Sequence, residues 1–199
     1  MTRLRRSRDA GQAFPIYITV VAGLLFLAFA YLAVGQAAAT RSEAQTAADA
    51  AALAAAQNLR EQLAGEWLEN VLDPTSWQGI FEGDLELFED PCERAGQLAA
   101  QNDAHVDDCQ EDGPLGYRVA VTTDEPVGDT IVPGTENRHA RAFASAVVER
   151  RCNFELPGEE AGDDILPSLD CEGEQWDPDP EAPDTLPDPE DLFDVHLAD

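Results

Sequence analysis

The chain opens with a long apolar run that passes directly into an alanine-rich segment. Residues 14–35 carry no charged side chain, and residues 36–56 hold twelve alanines and neither proline nor glycine. Helix-forming residues continue to about Leu72, where Asp73 and Pro74 follow, and Gly65 is the only weak point. The pattern predicts one nearly continuous helix over residues 14–72, about 88 Å long at 1.5 Å per residue.

The first 22 residues of this helix have the length and composition of a membrane span. They would extend about 33 Å, close to a hydrocarbon core of roughly 30 Å, and a soluble helix is rarely apolar on every face over such a length. Four arginines lie within residues 3–8, whereas only Arg41 follows closely. The positive-inside rule then predicts a cytoplasmic N-terminus (1–13), a single transmembrane helix (14–35) in the cell membrane and an extracytoplasmic body.

A cleaved secretory signal is the alternative interpretation of the same segment. Residues 36–40, Gln-Ala-Ala-Ala-Thr, contain the small residues typical of a signal peptidase site. Signal peptides, however, usually have apolar regions of only about 7–15 residues. Both interpretations place the remainder of the chain outside the cytoplasm.

Small residues recur on one side of the segment 36–72, which we expect to form an alanine-rich stem. The stripe consists of Ala44, Ala48, Ala51, Ala52 and Ala55. Spacings of three and four residues place these positions on one helix face, where small side chains allow another helix to approach closely. The stripe therefore predicts packing against partner helices, although alanine is also common helix filler in GC-rich genes.

The segment 73–171 predicts a small extracytoplasmic head with mixed secondary structure. Residues 73–89 have the composition of a loop that covers apolar surface. A helix should start at Asp90, with Pro91 at its first position and Glu93 completing a capping box. Residues 105–109 and 116–124 have the pattern of strands; residues 139–152 fit a strand or a helix, and their neighbours favour the strand. The predicted fold class is α+β, with one further helix and a short antiparallel sheet.

Four cysteines lie in the head, at Cys92, Cys109, Cys152 and Cys171. An even number of cysteines outside the cytoplasm favours disulfides. Of three possible connectivities, pairing neighbours is favoured because it closes two loops of similar length, each contributing about 3 kcal/mol. A zinc site is the alternative, but the cysteines lack C-x-x-C spacing and no histidine stands at ligand spacing beside them. We expect no metal site.

The charge of the protein is strongly negative and unevenly distributed. The net charge is −28, and residues 1–13 contribute +3, which leaves −31 for the rest. Such a body would be repelled by nucleic acid. All basic residues are arginine, which is typical of a GC-rich bacterial gene. Residues 172–199 contain eleven acidic residues and five prolines and predict a disordered acidic tail, with one possible docking motif formed by Leu192, Phe193, Val195 and Leu197.

Enzymatic motifs are absent from the sequence. It lacks a nucleophile elbow, a phosphate-binding loop, a dinucleotide fingerprint and a zinc-protease motif. His105, His139 and His196 stand apart, and the pairing of His105 with Asp107 or Asp108 is ordinary on an acidic surface. We therefore expect no catalytic residue, no cofactor and no small-molecule substrate.

The N-terminal features together carry a family resemblance. A glycine, Gly11, precedes the apolar helix, and an alanine-rich run begins at Arg41. The residues of that run are Arg41, Gln45, Ala47, Ala48, Asp49, Ala50, Ala51, Ala52 and Leu53. Over about residues 8–60 the chain resembles TadE/TadG-like proteins of the tight-adherence (Flp-type) pilus assembly system. The resemblance implies a minor pseudopilin or TadG-like assembly protein without catalytic activity, whose helix anchors a pilin-like head and contacts other pilin-like proteins.

One position departs from the pattern of processed pilins. Such proteins typically have glutamate at the fifth residue after the cleaved glycine. If Gly11 were the processing site, Gln12 would come first and Ile16 fifth. The departure favours an uncut, anchored TadG-like protein over a fibre subunit. A surface-tethered or secreted acidic binding domain unrelated to pili is the alternative function.

Overall fold

The computed structural model describes residues 13–126, 137–156, 166–179, 181–182 and 185–198. The helices are α1 (Ala13–Glu69), α2 (Pro74–Phe81), α3 (Pro91–Gln101) and α4 (Pro189–Leu192). The strands are β1 (Ala104–Glu111), β2 (Gly116–Pro126), β3 (His139–Arg150), β4 (Cys152–Phe154), β5 (Leu169–Cys171), β6 (Glu174–Trp176) and β7 (Phe193–Leu197). The predicted α+β class is confirmed.

Helix α1 runs for 57 residues without interruption. Its sequence is rich in alanine and leucine, and Gly65 lies at an exposed position. The helix ends three residues before the predicted boundary, where the Asp73 N–H donates to the Asn70 carbonyl at 2.9 Å. The prediction of a single continuous helix that leads from the apolar run into the stem is confirmed.

The segment expected to be a loop over residues 73–89 contains a second helix, so that prediction is wrong for Pro74–Phe81. The Asp73 carboxylate accepts a hydrogen bond from the Thr75 N–H at 3.2 Å, and proline occupies the first turn. Both features are standard helix starts. The helix buries Trp77, Ile80 and Phe81, and spacings of three and four residues give these side chains a common face.

A four-stranded antiparallel sheet, in the order β1-β2-β3-β7, packs against α1. Residues 139–150 form a strand, as their neighbours indicated, and Val119 pairs with Ala144 at the centre of the β2–β3 ladder. Tyr117, Val119 and Val121 alternate along β2 and are buried. The inner face of the sheet is thus covered by α1, while the outer face carries charged residues such as Arg118.

The predicted disorder of the acidic tail (172–199) is wrong for the residues that form β6, α4 and β7. Strand β7 pairs with β3 from Ala146↔Leu197 to Arg150↔Phe193, and β6 completes a three-stranded sheet with β4 and β5. The proposed docking motif is occupied within the chain itself, because Leu192 and Phe193 are buried in the core. Averaged over 28 residues, the acidic composition conceals this short alternation of apolar and polar residues. Residues 180, 183, 184 and 199 lie outside the described residues.

Aromatic side chains fill the core at the end of α1 that is far from the apolar run. Trp67 contacts Trp77 with ring centroids 5.4 Å apart, and Trp77 contacts Phe154 at 5.3 Å. Phe81 lies 5.1 Å from Phe193. Pairs of this kind contribute about 0.5–1.5 kcal/mol beyond the burial of area. The cluster therefore fixes α2, β4 and β7 onto the last turns of α1.

Candidate interaction surface along the long helix

Helix α1 divides into an exposed apolar part and a part that belongs to the head. Ala44 is its first buried residue, whereas almost every side chain from Phe14 to Glu43 is exposed. The most apolar 18-residue window has a mean hydropathy of 2.3, and no other described part of the chain covers it. By length and composition this helix can cross a membrane, and of the described helices it is the one that can. An apolar surface this large marks an interaction with lipid or protein.

The predicted packing stripe lies against the chain's own head. The prediction that partner helices pack on the stripe is therefore wrong. All five residues of the stripe have an exposed fraction of 0%. The helix packs there on β2, β3 and α3. Because alanine has only a methyl group, the sheet approaches the helix closely at these positions. The spacing correctly indicated a packing face, but the sequence alone did not show which element would cover it.

The end of the head nearest the apolar run lies beside the middle of α1. Gln36, Thr40 and Glu43 line a cleft of about 340 Å³ together with residues 102–103 and the end of β2 at 123–126. Carboxylates of Glu43, Asp103 and Glu125 surround this junction. The head thus begins within about one or two helical turns of the end of the apolar run.

A buried amide anchors the segment before α3 to the helix. Gln62 is 1% exposed, and its carbonyl oxygen accepts hydrogen bonds from the Phe88 N–H at 3.0 Å and the Glu89 N–H at 3.2 Å. Its amide nitrogen donates to Asn58 Oδ1 at 2.7 Å and to the Glu89 carbonyl at 3.1 Å. Every polar atom of Gln62 therefore has a partner, as a buried amide requires. Before the structure is known, a polar residue on an otherwise apolar helix face is the one sign of this anchor.

The cysteines lie together in the two neighbour pairs. Cys92 and Cys109 join α3 to β1 with an S–S distance of 1.93 Å, and Cys152 and Cys171 join β4 to β5 at 1.97 Å. Within the described part of the chain, no group of three or more histidine, cysteine or acidic side chains is arranged to hold a metal ion.

The three histidines lie at separate places on the surface and in separate contacts. His105 Nδ1 is 2.7 Å from Asp124 Oδ1, and its Nε2 is 3.7 Å from Asp107 Oδ1. His139 Nδ1 lies 2.8 Å from the Thr123 carbonyl, and His196 pairs with a carboxylate two residues away on its own strand. The structure does not bring these side chains together into one site.

Among the described residues, Tyr117 and Arg151 have pKa values above their ordinary ones. Burial, with Glu111 and Asp90 nearby, raises the pKa of Tyr117 to about 12. A hydrogen bond to Glu172 raises the pKa of Arg151, and the Arg151 Nη2 atom lies 2.6 Å from the Glu172 carboxylate. Both groups keep their ordinary protonation state at neutral pH, so both shifts reflect packing and pairing within the head.

The architecture is a single long helix whose first part is apolar and exposed and whose second part forms the core of a small α+β head. Residues 11–58 match the family model described as putative Flp pilus-assembly TadE/G-like. The match covers 48 of 199 residues and confirms the resemblance carried by Gly11 and the run from Arg41. It supports a role related to Flp pilus assembly and, together with the apolar helix, indicates a membrane location. No curated protein and no solved structure matches the chain.

The matched segment spans both parts of α1, and the structure explains its alanine-rich portion. Within the run that begins at Arg41, Ala47, Ala48, Ala51 and Ala52 are fully buried under the head. Arg41 itself is exposed. The alanines of the run therefore mark where the helix enters the head. Gly11, the candidate processing residue, lies outside the described residues.

Proposed function

We propose that this protein is a non-enzymatic, single-pass membrane component of a Tad/Flp-type pilus assembly system. Its N-terminus lies in the cytoplasm, α1 crosses the bilayer over about residues 14–35, and the head stands outside the cytoplasm. The protein acts as a minor pseudopilin or as a TadG-like assembly protein. It needs no cofactor and acts on no small-molecule substrate.

One observation carries this proposal. The segment that matches the pilus-assembly family model, residues 11–58, lies mostly within α1. The part of α1 before Ala44 is exposed and contains the apolar run, and the part from Ala44 onward forms the core of the head. Such a helix fixes the head close to the membrane without a flexible linker. Four arginines precede the span and only Arg41 follows it closely, which supports the same orientation.

The partner contacts of the helix belong to its uncovered part. The stripe from Ala44 to Ala55 is occupied by the head, so other pilin-like helices would meet α1 over residues 14–43. Gly23 and Gly35 lie in this part with no atom near the position of an added Cβ. Small residues of this kind allow close helix packing within a bilayer.

A clean deletion in the host tests the proposal. We expect loss of surface pili, counted by electron microscopy, and their recovery when the full-length chain is supplied in trans. A matched variant should begin at residue 37 behind a cleavable signal, which exports the head without its anchor. We expect this variant to fold and not to restore pili. Normal piliation of the deletion strain would overturn the proposal and favour the acidic binding domain.

A further inference from the structure

A cleft with a volume of about 500 Å³ lies at the end of the β1–β2 hairpin. Its lining consists of residues 87–92, of residues 109–111 at the end of β1, and of Tyr117 on β2. The carboxylates in this lining are those of Glu89, Asp90 and Glu111, and the lining contains neither arginine nor lysine. We call this cavity the acidic cleft.

The arginines nearest to the acidic cleft in sequence are paired elsewhere. Arg118 follows Tyr117 on β2 but lies on the outer face of the sheet, where its Nη2 atom is 3.3 Å from Asp112 Oδ2. Arg94 lies on α3 and donates to Gln97 Oε1 at 2.8 Å. Among the described residues, no basic side chain forms a salt bridge with a carboxylate of the cleft. The negative charge of the lining is therefore not compensated inside the head.

The hydroxyl of Tyr117 opens into the acidic cleft. The residue is only 4% exposed, and its hydroxyl has no hydrogen bond to any described group, although buried tyrosine hydroxyls usually have a partner. Tyr117 pairs directly with Glu111 across the β1–β2 ladder, and side chains of such a pair lie on the same face of a sheet. The unpartnered hydroxyl thus lies close to a carboxylate that no described group neutralises.

The walls of the acidic cleft are fixed by contacts with the core. The Cys92–Cys109 disulfide joins them covalently. Gln62 holds the backbone of residues 88–89, and Glu89 Oε2 accepts a hydrogen bond from the Asn58 amide at 3.2 Å. A site that is held in place before its ligand arrives loses less entropy on binding.

An exposed aromatic ring borders the same cleft. The side chain of Phe88 is 76% exposed, although its backbone N–H is anchored to buried Gln62. Aromatic rings attract cations to their faces, and arginine is found in such contacts more often than lysine. The cleft therefore combines an aromatic ring, a free hydroxyl and carboxylates, which are the groups that recognise a guanidinium.

We propose that the acidic cleft binds an arginine side chain of another protein. The guanidinium donates hydrogen bonds to the Glu111 carboxylate and to the Tyr117 hydroxyl, and its plane lies against the ring of Phe88. This inference goes beyond the role in pilus assembly and does not depend on it, because the cleft belongs to the head alone.

Chemistry and size select this occupant. A guanidinium presents several N–H groups in one plane and bonds to two acceptors at once, whereas the ammonium of lysine is a more strongly hydrated point charge. The cleft is larger than one arginine side chain, so the adjoining residues of a protein segment also fit. A second copy of the chain is disfavoured, because each copy carries −31 after residue 13 and bodies of like charge repel each other.

The test is a titration of the isotopically labelled full chain in detergent, followed by the NMR signals of its backbone N–H groups. The probe is the tripeptide Gly-Arg-Gly, acetylated and amidated at its ends. The same tripeptide with citrulline is the matched control, because citrulline has nearly the same shape without the charge. Free arginine, added separately, distinguishes a small-molecule site from a surface that binds a protein segment.

We expect the arginine peptide to shift signals of residues 88–92 and 109–111, and the citrulline peptide to leave them unchanged. Tyr117→Phe and Glu111→Gln should each weaken binding about tenfold, because each removes a hydrogen bond to a charged group. Glu149→Gln removes one charge from the outer face of β3, at an exposed position, and should have no effect. All three variants should keep the urea midpoint of a folded head.

Three results would overturn the inference. The first is a set of shifts that is scattered over the acidic surface and weakened equally by Glu149→Gln and Glu111→Gln, which would indicate attraction by net charge alone. The second is equal binding of the arginine and citrulline peptides. The third is tighter binding of free arginine than of the capped peptide, which would indicate a small-molecule site.

Discussion

Enlarging side chains in the alanine stripe should destabilise the head. Ala48 and Ala55 are fully buried between α1 and the sheet, and leucine adds three carbon atoms where the sheet is in close contact with the helix. Overpacking of this kind costs about 1–3 kcal/mol per site. The two sites lie seven residues, or about 10 Å, apart along the helix, so their effects should nearly add. We expect Ala48→Leu/Ala55→Leu to lose about 2–6 kcal/mol.

The change can be measured by urea unfolding of the full-length protein in detergent. Trp67 and Trp77 are almost completely buried, so their fluorescence reports the state of the head. With a urea dependence of about 2 kcal/mol per M, the double variant should lower the midpoint by about 1–3 M. Ala37→Leu/Ala38→Leu is the matched control, because the same substitution falls on exposed positions of the same helix. Equal midpoints for the two double variants would refute the assignment of the stripe to the head.

Three further predictions concern groups inside the head. Replacing both Cys92 and Cys109 with serine should lower the free energy of unfolding by about 3 kcal/mol, because the bond closes a loop of 17 residues; an unchanged urea midpoint would contradict this. Gln62→Leu should leave the N–H groups of residues 88–89 without their acceptor, at about 1–3 kcal/mol each; unchanged hydrogen exchange there would count against the anchor. Because burial raises the pKa of Tyr117 to about 12, the folded state favours the neutral phenol, and the free energy of unfolding should fall as the pH rises from 10 through 12. Tyr117→Phe should remove that dependence. Identical dependence of stability on alkaline pH in the two proteins would contradict the role of Tyr117.

Local signals in the sequence were sufficient for much of the fold. The uninterrupted run of helix formers predicts α1, and the alternation around Val119 and Val121 predicts β2. The capping sequence at Asp90 and Pro91 predicts α3, whose N-cap Asp90 accepts from the Cys92 N–H at 2.9 Å. In each case the residues near one another in sequence determine the local conformation.

Features that depend on contacts between residues far apart in the sequence could not be predicted from local patterns. An alanine face indicates close packing but does not identify the element that packs there. The sequence alone therefore predicts partner helices at the stripe, whereas the structure places the head there. Strand β7 is stabilised by its ladder with β3 and by the burial of Phe193, and the acidic residues around it gave no sign of either.

The central claim is that α1 is retained in the mature protein as both anchor and core. The most direct test is the mass of the mature protein, with its N-terminal residue, in membrane and culture fractions of its own host. We predict that the protein stays in the membrane fraction and begins at residue 1, or at Gln12 if Gly11 is processed. A protein that begins near Thr40 and is recovered from the culture fluid would contradict the account.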